Sequence, residues 1–328
     1  MLGINLTFTL GSKVFLITFA MVYTAAGAYL LASTWRKLRR RPAPKRSRLA
    51  KWTRRDVLAL AGGGVGCMLW GYFIEPYWLE VTRTRISSPK LKGATRPIRL
   101  VHISDMHCDP AVRNEHKLPE MIAELEPDAV IYTGDSINSL GGLDKFRTCM
   151  TALAKIAPTF AVRGNWDMAL RNRNVDLFGS TGVVELAAQA RRLEVAGTHI
   201  WVAGAAARWG RGPRTAPMMF DRVLEDVPKE DFKLFGYHFP SAVYLLADRG
   251  VDLVCAGHTH GGQVAMPFYG ALVTASVYEK RFEAGLYNVG RTHLYVNRGV
   301  GMEGSVAPRV RFYCRPEISF IEVTPSDS

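Results

Sequence analysis

No acidic residue occurs before Asp56, although the chain of 328 residues holds 29 of them. The same first 55 positions carry twelve of the 42 Lys and Arg, so the remainder, with thirty cations against 29 acids, is close to neutral. The formal charge of +13 therefore belongs to one short segment, which excludes a broadly basic globular domain built for nucleic acid. Aromatic residues are missing from between the arginines of that segment, except Trp35 and Trp52 near its ends, so it offers no stacking platform for bases. Cysteine is scarce as well. Cys67, Cys108, Cys149, Cys255 and Cys314 show no paired spacing, which excludes a disulfide framework and a zinc-thiolate site. There is no internal repeat, and no low-complexity tract beyond the basic segment. The 48% of hydrophobic residues suffices for one sizeable domain with an appendage.

The appendage has a readable pattern. Residues 14–34 are uncharged and apolar over about the 20 positions that a bilayer core requires, so 1–34 reads as a transmembrane helix. Residues 35–56 read as a basic cytoplasmic segment, attracted to anionic headgroups. A second apolar segment, 57–75, follows Arg54 and Arg55 in a context that resembles a twin-arginine export signal. Gly62, Gly63, Gly64 and Gly66 lower its helix propensity, and no small-x-small cleavage site closes it, so it is expected to stay attached. Cys67 has a poor lipid-attachment context and is expected to be a buried thiol. If both apolar segments cross the bilayer, the rest of the chain lies on the non-cytoplasmic side; a second segment lying along the inner surface places it inside.

After a connector, 76–97, short β-branched runs alternate with amphipathic stretches through residues 98–324, the pattern of an α/β domain. Strands are predicted at 98–104, 129–133, 159–163, 199–203, 233–237 and 251–256, and helices at 116–126, 143–156, 183–192 and 241–249. Later runs at 263–266, 284–288, 293–297 and 318–323 read as strands without intervening helices. Two packed sheets flanked by helices are expected.

Polar clusters end the strands, where ligands of open α/β sheets gather. The first strand is followed by Asp105 and His107, the second by Asp135, and the third by Asn165, Trp166 and Asp167. Two later strands lead into His238 and into His258 and His260. Carboxylate and amide oxygens mixed with imidazole nitrogens suit divalent Mn, Fe or Zn, and the number of donors suffices for two ions. One histidine after a strand is usually structural; five strand ends carrying seven such donors in one order are not.

The order Asp-x-His, Gly-Asp, Gly-Asn-x-Asp, His, Gly-His-x-His resembles the calcineurin-like metallophosphoesterase superfamily over residues 98–324. Glu75 and Pro76 after an apolar segment, the run 257–263, and the run 312–318 are similar to a bacterial membrane-associated subgroup related to UDP-2,3-diacylglucosamine pyrophosphatases of lipid A synthesis. The resemblance implies a four-layer α/β/β/α fold. It also implies one metal held by Asp105, His107 and His260, a second by Asn165, His238 and His258, and Asp135 bridging both. A metal-bridging hydroxide then attacks phosphorus without a protein nucleophile. Asp167 is expected either to orient Asn165 and its loop or to cap the turn that follows.

Trp166 departs from the family pattern, which carries His there as a candidate proton donor. An indole N–H donates a hydrogen bond but is no useful acid. The expected substrate therefore has a leaving group already stable as an anion, such as a phosphoanhydride or an activated diester, and the membrane segments point to a lipid-linked one. A general membrane-tethered phosphodiesterase and a metal-binding membrane protein without turnover are the alternatives. Trp166 itself stacks on a substrate base or sugar, or packs. Arg163 and Asn138 sit where they can reach a phosphate oxygen, and residues 208–220 read as a loop that meets lipid or an anionic substrate, or as a solvated loop anchored by its apolar side chains.

Overall fold

The computed structural model describes residues 53–171, 175–207, 215–271, 279–303 and 309–326. The apolar stretch 14–34, the basic segment up to Trp52 and positions 208–214 lie outside the described residues. The chain divides into two compact units, Met1–Ile74 and Glu75–Ser328.

In the first unit, helix α1 (Arg54–Phe73) begins at a reciprocal cap. Thr53 Oγ1 accepts the Asp56 backbone N–H at 3.2 Å, and the Asp56 carboxylate accepts the Thr53 N–H at 2.7 Å. This closes two of the otherwise unpaired donors of a helix start and offsets the five glycines that follow. Pro76 cannot continue a helix, which ends one turn earlier. Leu58, Leu60, Val65, Met68, Leu69, Trp70, Tyr72 and Phe73 are all exposed, and only Gly71 of the helix is buried. A helix apolar on every side and exposed along nearly its whole length among the described residues fits a lipid environment, and Arg54–Tyr77 is long and apolar enough to cross a membrane. Cys67 is exposed on this helix, so the expectation of a buried thiol fails: the helix has no interior side for it to face.

The second unit contains, in chain order, strands β1 (Glu80–Ser88), β2 (Ile98–Ile103), β3 (Ala129–Tyr132), β4 (Thr159–Ala161), β5 (Val184–Glu185), β6 (Gln189–Val195) and β7 (Thr198–Gly204). These are followed by β8 (Lys233–Gly236), β9 (Leu253–Ala256), β10 (Ala265–Met266), β11 (Gly270–Ala271), β12 (Gly285–Val289), β13 (Thr292–Val296) and β14 (Glu317–Pro325). Helices α2 (Leu118–Ala123), α3 (Leu143–Ile156), α4 (Asn165–Arg171), α5 (Thr215–Leu224) and α6 (Val243–Ala247) connect them.

One sheet has the order β1-β14-β2-β3-β4-β5 and the other β12-β13-β9-β8-β7-β6. Strands β2 to β5 run parallel, as do β7, β8, β9 and β13. Their side chains alternate between two buried environments. Ile98, Leu100, Ile131 and Phe160 face Val202, Leu234, Leu253 and Tyr295 in the layer between the sheets. Val101, Ile103, Val130 and Tyr132 point outward and are covered by Leu118 and Ile122 of α2 and by Phe146, Met150 and Leu153 of α3. On the far side, Phe220 and Val223 of α5 and Val243 and Leu246 of α6 cover Ala203, Phe235, Val254 and Val296. The result is the expected helix, sheet, sheet, helix layering, each buried Leu, Ile, Val or Phe contributing about 1.5–3 kcal/mol.

Two local expectations are corrected. Residues 183–192 form no helix; β5 and β6 occupy this stretch, each at the edge of a different sheet. Pairing with β4 and β7 outweighs the helix propensity of its Leu and Ala residues. The stretch read as a connector contains β1, which lies in parallel register with β14 from Glu80↔Glu317 to Ser88↔Pro325.

Candidate metal centre

The parallel strands β2, β3, β4, β8 and β9 all end at the same edge of their sheets, and the loops that leave them stay paired. The Asp105 N–H donates to the Gly134 carbonyl at 2.8 Å, the His107 N–H to the Asp135 carbonyl at 3.0 Å, and the Gly257 N–H to the His238 carbonyl at 3.1 Å. Asp105, His107, Asp135, His258 and His260 are held in left-handed backbone with φ between 41° and 72°. For residues other than glycine this costs about 1–3 kcal/mol each, and such strain collects at functional sites. Two glycines make the approach possible. A Cβ on Gly164 would strike the Asp135 carboxylate, and one on Gly257 would strike Ser104 Oγ and the Asp105 carboxylate.

Two groups of side chains result. Asp105, His107 and His260 form one, Asp135, His238 and His258 the other, with the donor atoms of each group within 4.8 Å of one another. In the first, His107 Nε2 lies 3.2 Å from His260 Nε2, and Asp105 Oδ1 lies 3.3 Å from His260 Nε2. In the second, His238 Nε2 lies 2.9 Å from Asn165 Oδ1 and 3.3 Å from Asp135 Oδ2. The same Asp135 oxygen is 3.7 Å from His107 Nε2, which sets it between the groups. The seven side chains expected to act together are thus together.

Their neighbours fix how they present themselves. His238 Nδ1 donates to the Thr133 carbonyl at 2.7 Å, and His107 Nδ1 to Asn138 Oδ1 at 2.9 Å, so each ring turns its Nε2 inward. Asp167 is completely buried and accepts three backbone N–H groups, those of Asp135 (2.8 Å), Ser136 (2.8 Å) and Gly164 (2.9 Å). It ties the loop after β3 to the loop after β4.

The charges explain what is missing from the protein atoms alone. Burial pushes the Asp105 carboxyl up to about 7 and the His107 imidazole down to about 4, and holds His260 well below its usual range. Burial also opposes charge on His238 and Asp135, but their mutual attraction prevails, raising His238 to about 9 and lowering Asp135. Asp105 Oδ1 is buried without a hydrogen-bond donor although it faces two imidazole nitrogens. A buried acceptor left so costs about 1–3 kcal/mol, and a divalent cation satisfies it while keeping carboxylates ionised and imidazoles neutral. Both groups fit such cations, and no thiol competes: Cys314 Sγ donates to the His260 carbonyl at 3.1 Å instead.

Trp166 is half-buried at the edge of the first group. Its ring stands edge-on to His107 with centroids 5.8 Å apart, and its backbone N–H donates to Asp135 Oδ1 at 2.8 Å.

Other expectations do not hold. Arg163 is spent on Glu185, Nε to Oε1 at 2.6 Å, and points toward β5 rather than the metal groups. Asn138 is occupied by His107 and by the Met302 carbonyl, so it positions a ring and does not reach for phosphate. Residues 215–220 are helical rather than a loop, while the expected apolar anchor is present in Phe220, buried against the second sheet, and Met218 is exposed.

Sequence patterning missed Arg311 and marked Glu75 without its role. Arg311, fully buried, donates to the carbonyls of Arg298 (2.8 Å) and Gly299 (2.9 Å) and to that of Gly301, bracing a loop whose Gly301 N–H holds the Asp105 carbonyl at 2.8 Å. The buried Glu75 carboxylate accepts the Cys314 N–H. An isolated Arg carries no spacing signal, and the motifs that contain Glu75 and Cys314 do not by themselves reveal that the two pair.

Comparison with known proteins agrees with this geometry. The family model described as calcineurin-like phosphoesterase matches residues 98–262. The metallophosphoesterase YkuE of Bacillus subtilis is 29% identical over 79% of this chain and 89% of its own length. The phosphodiesterase YaeI of Escherichia coli is 29% identical over 77% of this chain and 91% of its own. The UDP-2,3-diacylglucosamine pyrophosphatase LpxG of Chlamydia muridarum is 23% identical over 80% of this chain and 94% of its own.

Proposed function

The chain belongs to the calcineurin-like phosphoesterase family and is a hydrolase of phosphoester bonds, and from that premise we propose that it acts, tethered to a membrane, on an activated phosphoester or pyrophosphate bond of a lipid-linked substrate. The observation that carries this reading is Trp166. It stands beside His107 at the position where its family resemblance leads one to expect a proton donor, and its indole cannot serve as one. Loss of a general acid typically slows expulsion of a poor leaving group about 10²- to 10⁴-fold. Anhydrides and activated diesters release an oxygen that needs no proton, so they escape the penalty.

Asp105, His107 and His260 would hold one divalent cation, Asn165, His238 and His258 a second, and Asp135 both. The mixture of oxygen and imidazole donors suits Mn, with Fe or Zn as alternatives. When bound, the cations supply Lewis acidity toward phosphoryl oxygens and lower the pKa of a nucleophilic water. The protein's own part is positional. Asp167 fixes Asp135 through its backbone, Thr133 and Asn138 orient the His238 and His107 rings, and Trp166 stands edge-on against His107.

The lipid part of the proposal rests on the exposed apolar helix α1 and on the relative named for UDP-2,3-diacylglucosamine, which joins an anhydride to two acyl chains. If residues 14–34 and α1 both cross the bilayer, the catalytic unit would lie on the non-cytoplasmic side, which a C-terminal reporter fusion checks. The direct experiment offers the full chain UDP-2,3-diacylglucosamine and bis-p-nitrophenyl phosphate in detergent with Mn. Cleavage of the anhydride, lost in Asp135→Ala, supports the reading. Cleavage of the diester alone supports the second reading, a general phosphodiesterase, which the similarity to the Escherichia coli phosphodiesterase favours.

A further inference from the structure

Five aromatic side chains are exposed among the described residues of the second unit: Tyr77, Trp78, Tyr313, Phe268 and Tyr269. Single exposed aromatics need no explanation, but two of these are held at a cost. Phe268 (φ 65°) and Tyr313 (φ 54°) sit in left-handed backbone, an outlier for a bulky residue, and neither gains burial in return. Phe268 and Tyr269 form the tip of the hairpin made by β10 and β11, with Ala265↔Ala271 and Met266↔Gly270 paired.

Contacts link the segments that carry these side chains. Tyr77 and Trp78 follow the end of α1 by four and five residues, so a bilayer crossed by α1 lies within about 18 Å of them along the chain. The Arg315 guanidinium stacks over Trp78 at 4.5 Å, which places Tyr313 two residues from that contact. Phe312 is bridged to the hairpin strand, accepting the Ala265 N–H at 2.9 Å and donating to the Gln263 carbonyl at 2.9 Å. At the hairpin, Lys280 lies over the Tyr269 ring at 3.6 Å. Aromatic faces backed by a Lys or Arg match the water–lipid boundary, where rings enter the headgroup layer and cations meet phosphate.

We propose that the hairpin tip Phe268-Tyr269, with Tyr313 and Trp78, is a second bilayer contact that seats the catalytic unit on the membrane carrying α1. The hairpin follows His260 after a few residues, so this contact would bring the first metal group next to the lipid surface. The inference rests on the membrane-tethered reading and supplies the face through which a lipid-linked substrate would enter.

The test uses the full chain in lipid vesicles, with Phe268→Trp as probe and Val184→Trp, exposed on the opposite edge strand β5, as control. Lipids brominated on the upper acyl carbons are expected to quench the emission that Phe268→Trp adds to the unmodified chain, and to leave that added by Val184→Trp intact. No quenching of the Phe268→Trp emission, or equal quenching of both, overturns the contact. Selective quenching in a protein that cleaves no lipid-borne phosphate upholds the contact and removes the lipid substrate, so the two failures are separable.

Discussion

Replacing Asp167 by Asn tests whether the metal groups depend on a side chain that does not belong to them. Asp167 offers two carboxylate oxygens to three backbone donors: Oδ2 to the Asp135 and Gly164 N–H groups, Oδ1 to the Ser136 N–H. The amide keeps one oxygen, best spent on the pair, and then turns its NH₂ toward the Ser136 N–H, donor against donor. One charge-assisted bond is lost, about 1.5–3 kcal/mol. Removing the carboxylate also relieves its repulsion with Asp135, which, after burial, is what holds the Asp167 carboxyl above its usual range. A net loss of about 2 kcal/mol leaves a folded chain, since typical domains have about 5–15 kcal/mol to spare. The melting temperature should fall by about 4–8 °C. The loop after β3 then loosens at Ser136, next to the strained Asp135, and cation affinity should weaken about 10- to 100-fold, as is typical when a group supporting a ligand is lost. Titrating Mn into the chelated variant while following bis-p-nitrophenyl phosphate hydrolysis should show a raised half-saturation with kcat restored at high metal. An unchanged Mn dependence at the lowered melting temperature would refute the positioning role.

Gly257→Ala should place a methyl against the Asp105 carboxylate and lower bound metal below two ions per chain by elemental analysis, with activity reduced about 100-fold while far-UV circular dichroism is unchanged. His102, buried on β2 with Nε2 at 2.9 Å from Thr133 Oγ1, is held neutral by burial, its pKa lowered to about 3. The unfolded chain takes up that proton below pH 6.5 and the folded chain does not, so this histidine removes stability as pH falls from 6.5 toward 3 and removes none above. Between pH 7 and pH 5 the loss is about 2 kcal/mol. Denaturant unfolding of His102→Phe should show that much less pH dependence over the interval, and an identical slope would count against a neutral buried His102.

The site was more legible in the sequence than the fold around it, for a physical reason. Parallel strands buried on both faces, such as β3 and β9, are continuous apolar runs, and the polar residues that end them stand out. Edge strands lack that contrast. The β1 run alternates Thr and Arg with half-buried neighbours and reads as a connector until β14 is beside it. Residues 183–192 have the composition of a helix, and only pairing at two sheet edges decides otherwise. The ligand-bearing loops carried a local signal in their glycines and spacing. The braces behind them did not: Arg311 acts on carbonyls of residues 298–301, and Asn138 reaches back across the chain to His107, relations that exist only after folding.

The central claim is that this phosphoesterase lacks a proton donor for its leaving group because Trp166 occupies the place beside His107. Its most direct test is the rate of the Mn-loaded chain on a series of phosphoesters and anhydrides ordered by leaving-group pKa. The account predicts a steep fall in rate as that pKa rises, with simple alkyl monophosphates slowest and the slope flattened in Trp166→His. A flat dependence in the unmodified chain, or alkyl monophosphates cleaved faster than anhydrides, would contradict it.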